Sequence, residues 1–324
     1  MQKSHFIHHL DYNNAGDWLA SPLNYFAGYF TSRYSIVYHT LEHIKWNEIS
    51  PDDAVILGGG GLLENETLIQ EWINRLLDIC GCVIAWGVGF HKRDDQEYVL
   101  PEIDYSRFAL ITVRDFDHPA GLEYLPCVTC MLPQLDKKRD IKQKIGVINH
   151  TSYALVESGF PILDNSAGIE EMTDFIAESE TILTTSYHAA YWALLMGKKT
   201  IITYAWANKF NYFKCKPVIL DELSIETVSK AMSGGELKSY GGWLDECREL
   251  NLAFFGRVKN LLENRIPNTN TPETVVDQLK QQEWVMSSLH RRVGNIVEQV
   301  NTLAGQIEQR FERLERFVSS KENK

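Results

Sequence analysis

The sequence predicts an α/β protein built on two parallel sheets and followed by a helical tail. Three observations carry that expectation. Short apolar, β-branched runs alternate with helical patterns between residues 5 and 220, as open parallel sheets require. A charged stretch, Asp136-Lys137-Lys138-Arg139-Asp140-Ile141-Lys142-Gln143-Lys144, interrupts that alternation near its middle. Beyond the break Pro267-Asn268-Thr269-Asn270-Thr271-Pro272, apolar residues instead recur at steps of three and four.

In the first half, candidate strands are His5–His9, Ser35–Tyr38, Ala54–Leu57, Val83–Trp86 and Ala109–Val113. Candidate helices there are Trp18–Phe30, Glu66–Cys80 and Pro119–Glu123, while Asp94–Glu102 is too mixed to assign. In the second half, Lys144–Asn149, Phe160–Leu163, Thr181–Thr184, Lys199–Tyr204 and Pro217–Leu220 read as strands, and Gly168–Ser179 as a helix. The charged stretch reads as a linker between an N-terminal unit, residues 1–135, and a second unit, residues 136–266. A solvated surface loop is the competing reading.

The tail changes character. Met286, Leu289, Val293, Ile296, Val300, Leu303 and Ile307 follow a heptad a/d seam, which Leu314 and Phe317 continue and Arg310 weakens. Residues 275–324 carry eight Lys/Arg and seven Asp/Glu, so their charge is mixed, whereas a membrane-binding helix would be one-sidedly basic. A self-associating coiled coil is the expectation, and a single helix folded on its own body the alternative.

At 324 residues with 44% hydrophobic content, the chain is long enough for two domains of ordinary size. A formal net charge of −11 offers no basic field to neutralise a phosphate backbone, which argues against nucleic acid as a partner. No apolar run reaches the roughly 18–20 residues of a membrane span, and Met1-Gln2-Lys3-Ser4-His5-Phe6 lacks the apolar core of a signal peptide. The expected location is the cytoplasm, including peripheral attachment at the inner face of the membrane. Of six cysteines, Cys127 and Cys130 form a C-x-x-C, yet no second pair supplies the further ligands of a zinc site, and Leu132-Pro133 follows where a thioredoxin-type motif needs a helix. Buried free thiols are the expected state.

One segment concentrates the chemistry: Thr184-Thr185-Ser186-Tyr187-His188-Ala189-Ala190-Tyr191-Trp192-Ala193-Leu194-Leu195-Met196-Gly197. An apolar strand ends in small hydroxyl residues, a histidine stands at the start of an apolar helix, and a glycine closes it. Such a crossing exposes a helix N-terminus at the carboxyl edge of a parallel sheet, where free N–H groups favour an anion. His188 then combines an anion site with a side chain that exchanges protons near neutral pH. A merely packed histidine at a helix start is the competing reading.

This segment resembles the Ser-x-x-Leu-His signature of the polysaccharide pyruvyltransferase family. Three further stretches resemble that family in the same order: Asn14-Ala15-Gly16-Asp17-Trp18-Leu19, Asp53-Ala54-Val55-Ile56-Leu57-Gly58-Gly59-Gly60-Gly61-Leu62-Leu63, and Ile111-Thr112-Val113-Arg114-Asp115. Together they span residues 5 to 215. The resemblance implies two Rossmann-like units facing each other in a glycosyltransferase-B-like arrangement. It also implies transfer of a pyruvyl group from phosphoenolpyruvate to two hydroxyls of a sugar, forming a ketal in cell-surface polysaccharide synthesis. The acceptor would be a glycan or a lipid-linked sugar. No metal or cofactor is called for.

On that reading His188 matches the motif histidine and serves as general acid toward the methylene carbon of the donor. Arg114, at a strand end, clamps a carboxylate or phosphate with its two-pronged guanidinium, unless Asp115 or another carboxylate occupies it. Lys209 and Ser186 complete the donor side, and Gly58, Gly59, Gly60 and Gly61 let backbone N–H groups approach the ligand. Asn14, Gly16 and Asp17 form the rim nearest the acceptor, although Asp17 alternatively serves only as a helix N-cap. The family commonly carries a basic residue two positions before the motif histidine. Here Ser186 and Tyr187 precede His188, which thins the cationic complement and leaves Tyr187 to stack on a sugar or base.

Two rival functions follow from that departure. One is a metal-independent glycosyltransferase of the same superfamily using a nucleotide sugar, in which His150 would meet the diphosphate; an ordinary surface histidine is the simpler reading of that residue. The other is a non-catalytic scaffold that recruits a partner glycan-assembly protein through the tail. Seam residues are exposed on a lone helix, and isolated helices gain little from propensity alone. The full chain is therefore expected to self-associate through 275–324, and removal of those residues to lower its mass in light scattering while the body stays folded. A full-length monomer would refute the coiled coil.

Overall fold

The computed structural model describes residues 2–11, 14–41, 43–64, 67–92, 100–153, 159–221 and 224–265. The expected coiled coil over 275–324 lies outside the described residues. Both sheets below belong to one compact unit, residues 1–30 and 34–269; a second unit groups 31–33 with 270–324, and only residues 31–33 of it are described.

The first sheet contains β1 (Lys3–His8), β2 (Ser35–Thr40), β3 (Ala54–Gly58), then, past the two-residue β4 (Leu63–Glu64), β5 (Val83–Val88), and, past β6 (Phe90–His91), β7 (Leu110–Val113). Its spatial order is β2-β1-β3-β5-β7, every neighbouring pair parallel. The second contains β8 (Gln143–Asn149), β9 (Ile162–Asp164), β10 (Ser179–Thr184), β11 (Lys199–Thr203) and β12 (Val218–Leu220), in the order β12-β11-β10-β8-β9, again all parallel. Every residue of β3 and β5 is buried, because elements cover both faces of a parallel sheet; the edge strands β2 and β9 are mostly only part-buried.

Numbered within their own sheets, both sets of strands run 2-1-3-4-5. Each sheet therefore reverses direction once, beside its first strand: between β1 and β3 in one, between β8 and β10 in the other. Such a reversal parts the loops at the carboxyl ends of the two strands and opens a crevice there.

The helices depart from expectation in two places. The single helix expected over Trp18–Phe30 is two, α1 (Ala15–Leu19) and α2 (Leu23–Arg33), because Pro22 cannot donate to a preceding turn. Pro119–Glu123 is not helical: Gly121 adopts φ +64°, and Val113 N–H donates to the Glu123 carbonyl at 2.8 Å, bringing the chain back alongside β7. In the charged stretch, Asp136 ends a 3-10 turn and Gln143 already opens β8. The intervening residues are pinned by ion pairs, Lys137 to Glu170 and Asp174, Arg139 to Asp174, and Lys142 to Glu178. The remaining helices are α3 (Thr67–Ile79), α4 (Ile169–Ala177), α5 (Tyr187–Leu195), α6 (Ile225–Ser233) and α7 (Trp243–Glu263).

All nine residues of α5 are buried, which makes it the central helix of the unit rather than an amphipathic surface one. The 21-residue α7 then returns to the first sheet: Phe254 packs edge-on to Trp86 at 5.0 Å, and Phe255 stacks on Phe26 at 4.3 Å. The fully buried Asn251 fixes that return. Its Oδ1 accepts from Trp86 Nε1 (2.9 Å), and its Nδ2 donates to the Pro126 and Cys247 carbonyls. Replacing Asn251 with Ala strands the Trp86 N–H and the Pro126 carbonyl in the interior, at about 1–3 kcal/mol for each unsatisfied group. The expected outcome is a lower urea midpoint with an unchanged slope; an unchanged midpoint would show that α7 does not hold the sheet through this residue.

Candidate active site

The two crevices open onto one cavity of about 410 Å³. Residues past β1 and β3 (His9, Asp11, Asn14, Asp17, Gly61, Glu64) line it from the first sheet, and residues past β8 and β10 (His150, Ser152, Tyr153, Ser186, Tyr187, His188) from the second. Arg114 enters from the end of β7, and Trp206 and Lys209 from the loop after β11. An apolar wall of Leu41, Leu62, Leu68, Ile69 and Trp72 closes the remaining side.

Arg114 is buried, and neither its Nε nor its Nη1 finds a hydrogen-bond partner. No carboxylate among the described residues lies within ion-pair distance of it, so the salt-bridge alternative for this residue is not what the structure contains. Space for the guanidinium comes from Gly89, where a Cβ would fall 2.4 Å from Arg114 Nε. Support comes from the Tyr187 ring, whose centroid lies 4.2 Å from Cζ. Tyr187 is itself buried and stacked on Phe213 at 4.6 Å, so it holds the arginine and is not a surface for stacking a base. Asp115 accepts from the Phe90 N–H at 2.8 Å, and burial, against the pull of Arg114, raises its carboxyl to about 6.

His188 occupies the first turn of α5, whose N-cap Ser186 makes no side-chain cap, leaving that end without a capping oxygen. The imidazole packs on Gly16, where a Cβ would come 2.1 Å from Nδ1; no other residue fits there without moving the ring. Nδ1 lies 3.9 Å from Asp17 Oδ1, and Nε2 lies 3.7 Å from the Cys127 thiol on the buried side. Burial, then the charges of Arg114, Lys209 and His150, hold His188 well below the usual imidazole range, which favours the neutral ring. The same causes act on Lys209, brought to about 7 by burial and by Arg114. Its ammonium sits 4.0 Å over the Trp206 ring, and Trp206 stacks on Tyr153 at 4.6 Å.

The cavity thus gathers Asn14, Asp17, Gly61, Arg114, Ser186, His188 and Lys209 of the residues expected from sequence. Gly16 lies beneath the imidazole instead of on the rim. Gly58 and Gly59 face the Ala20–Pro22 turn, where added Cβ atoms would fall 2.6 Å from Pro22 and 2.4 Å from Ala20; they serve backbone packing, and Gly60, at φ +85°, serves the turn. Asp17 is not the N-cap of α1. Asn14 is, accepting from the Gly16 N–H at 3.2 Å. His150 is no ordinary surface histidine: it lines the cavity, and burial together with Lys209 lowers it to about 4. Its position just past β8 mirrors that of Ser186 past β10, and this symmetry was the available signal. Cys127, a free thiol as expected, proves to touch the motif histidine.

Residues 3–206 match the family model described as polysaccharide pyruvyl transferase. The chain belongs to that family. It is therefore a member of a transferase family, and its cavity lies within the matched residues but for Lys209. No curated protein matches. Among solved structures, an uncharacterised protein of Klebsiella pneumoniae subsp. pneumoniae is similar at 17% identity and a TM-score of 0.41, over 68% of this chain and 93% of that one.

A buried guanidinium with unpaired donors destabilises the protein that carries it. Arg114→Met is expected to raise the stability of the protein by on the order of 1–4 kcal/mol, read as a higher melting temperature, while abolishing stabilisation by inorganic phosphate. A destabilised variant that still responds to phosphate would assign Arg114 to structure.

Proposed function

We propose that this pyruvyl transferase moves the carboxyethylidene group of phosphoenolpyruvate onto two hydroxyls of a sugar, forming a ketal and releasing phosphate. The observation that carries the reading is Arg114, a desolvated two-pronged donor with no protein acceptor, beside a second cation, Lys209. Phosphoenolpyruvate supplies what the pair lacks: a carboxylate and a phosphate borne by one carbon. We read the paired sheets as the glycosyltransferase-B-like arrangement that the resemblance implies, with donor and acceptor meeting where the crevices join.

The reaction places one proton on the methylene carbon and removes one from each attacking hydroxyl; the surplus proton leaves with phosphate. His188 was expected to supply the methylene proton. Its surroundings favour neutral imidazole, and neutral imidazole accepts protons. Its role in this proposal is therefore to take the proton of an attacking hydroxyl. The negative charge of the bound donor opposes Arg114 and Lys209, which eases formation of the imidazolium as the hydroxyl adds.

Donor identity is tested by thermal stabilisation, since a ligand raises the melting temperature only if the native state binds it. Phosphoenolpyruvate is expected to stabilise the protein and nucleoside diphosphates not to; the reverse pattern would replace this reading with nucleotide-sugar transfer. His188→Ala is expected to lose about 10²–10⁴-fold in transfer rate with stabilisation by phosphoenolpyruvate retained. Full activity in that variant would make the motif histidine structural.

A further inference from the structure

We propose that Asp17 is the catalytic proton donor of this site, protonating the methylene carbon of the donor while His188 deprotonates the attacking hydroxyl. The proposal rests on the phosphoenolpyruvate reading above and assigns the step which that reading leaves without a residue.

Four features of the geometry point to it. Asp17 and His188 line the same cavity, with Oδ1 and Nδ1 3.9 Å apart, longer than a hydrogen bond and close enough for both to address one bound molecule. The other carboxyl oxygen, Oδ2, accepts from Asn14 Nδ2 at 2.7 Å, which sets the rotation of the carboxyl group and turns Oδ1 toward the histidine. Gly16, the residue before Asp17, carries the face of the imidazole, so the two side chains are fixed against each other through a single peptide unit. The opposite ring nitrogen, Nε2, faces Cys127 in the interior, so Nδ1 is the edge of the histidine on the side of Asp17.

The charged groups around the pair are consistent with this assignment. Burial raises the carboxyl of Asp17, Asp11 adds to the rise, and Lys209, His9 and Arg114 oppose it. Arg114, Lys209 and His150 all act on His188 in the direction that keeps it neutral. The two groups are thus pushed apart, the carboxyl toward holding its proton and the imidazole toward releasing one, the direction in which two titratable groups divide donor and acceptor roles.

The protons balance through one turnover. The Asp17 proton adds to the methylene carbon with the electrons of the carbon–carbon double bond. The first hydroxyl adds to the neighbouring carbon, and its proton passes to His188. Phosphate departs with the electrons of its carbon–oxygen bond and takes the proton from His188. The second hydroxyl then adds, and its proton restores Asp17.

The test compares wild type, Asp17→Asn and Asp17→Glu by phosphate release from phosphoenolpyruvate with a panel of methyl hexopyranosides across pH. The wild-type rate is expected to fall on the alkaline side as Asp17 loses its proton. In Asp17→Asn, kcat at saturating phosphoenolpyruvate, where the bound anion holds Lys209 protonated, should drop by about 10²–10⁴-fold with KM for phosphoenolpyruvate little changed, and the alkaline limb of kcat should vanish. Asp17→Glu should recover part of the rate and keep that limb. An Asn variant that retains the rate, or the same alkaline limb, overturns the proposal, since a residue serving only α1 would leave the pH profile in place. If wild type neither binds nor consumes phosphoenolpyruvate, the donor reading fails separately. The pair is then decided by nitrogen-15 histidine spectra, with the His188 signal assigned by its loss in His188→Gln. A His188 titration that moves in Asp17→Asn supports the coupling, and one that does not move overturns it.

Discussion

The site is organised by one unfavourable fact, a guanidinium taken out of water without an acceptor. Desolvating a cation costs several kcal/mol, and a protein interior normally repays that with a carboxylate. At Arg114 the repayment is partial: an aromatic face 4.2 Å away and the field of Asp115. Much of its neighbourhood follows from that choice. Gly89 lacks a side chain because the guanidinium fills its place, the Tyr187 ring lies against it, and His188 and Lys209 shed positive charge. The chain as a whole is acidic at −11, so its long-range field repels anions. On the proposed reading, selectivity for an anion is local, carried by a few desolvated donors over a few ångströms.

That local concentration depends on the repeated strand order. A single open sheet offers one crevice with a handful of loop ends. Here two sheets of the same 2-1-3-4-5 order direct their crevices at a common cavity, so loops after β1, β3, β8 and β10 all contribute. The first sheet brings Asp17, Asn14 and Arg114; the second brings His188, His150 and Lys209. The acid–base pair spans both, with Gly16 from one pressed on the imidazole of the other. Any shift of one sheet by an ångström would separate Asp17 from His188. The helix that returns from the second sheet to the first, α7, with Asn251 buried between Trp86 and the Pro126 carbonyl, opposes such a shift.

The parallel strands were legible because fully buried strands leave continuous β-branched runs, as in Ala54–Gly58 and Val83–Val88. The His188 helix was legible from its hydroxyl-rich entry and its glycine exit. α7 was not. Its buried residues Trp243, Cys247, Asn251, Phe254, Val258 and Leu262 do recur at helical spacing, but one of them is an asparagine whose partners Trp86 and Pro126 lie more than a hundred residues away in sequence. A polar residue in a seam reads as surface until its acceptors are known. The glycine run misled for a related reason. Glycine marks close approach, and sequence does not say whether a ligand or another segment of backbone approaches; at Gly58 and Gly59 it is the Ala20–Pro22 turn. The N-cap ambiguity at Asp17 likewise dissolved only when Asn14 was seen to cap the helix.

Burial has a further effect on how the site handles protons. Lys209 at about 7 and Asp115 at about 6 each titrate near neutrality, and both lie in the field of Arg114. An anion entering the cavity favours the protonated form of every titratable neighbour, raising Lys209 toward its ordinary range and opposing ionisation of Asp115 and Asp17. Ligand charge and proton uptake are then linked, because a group whose affinity for protons rises on binding makes binding tighter as pH falls through its titration range. The direction suits the proposed transfer, whose first step would consume a proton at a carbon atom. A site with fully ionised carboxylates and solvated lysines would bind the same anion without gaining a proton donor. Burial, which makes Arg114 costly, also pushes the Asp17 carboxyl toward its protonated form, the form that the proposed transfer uses.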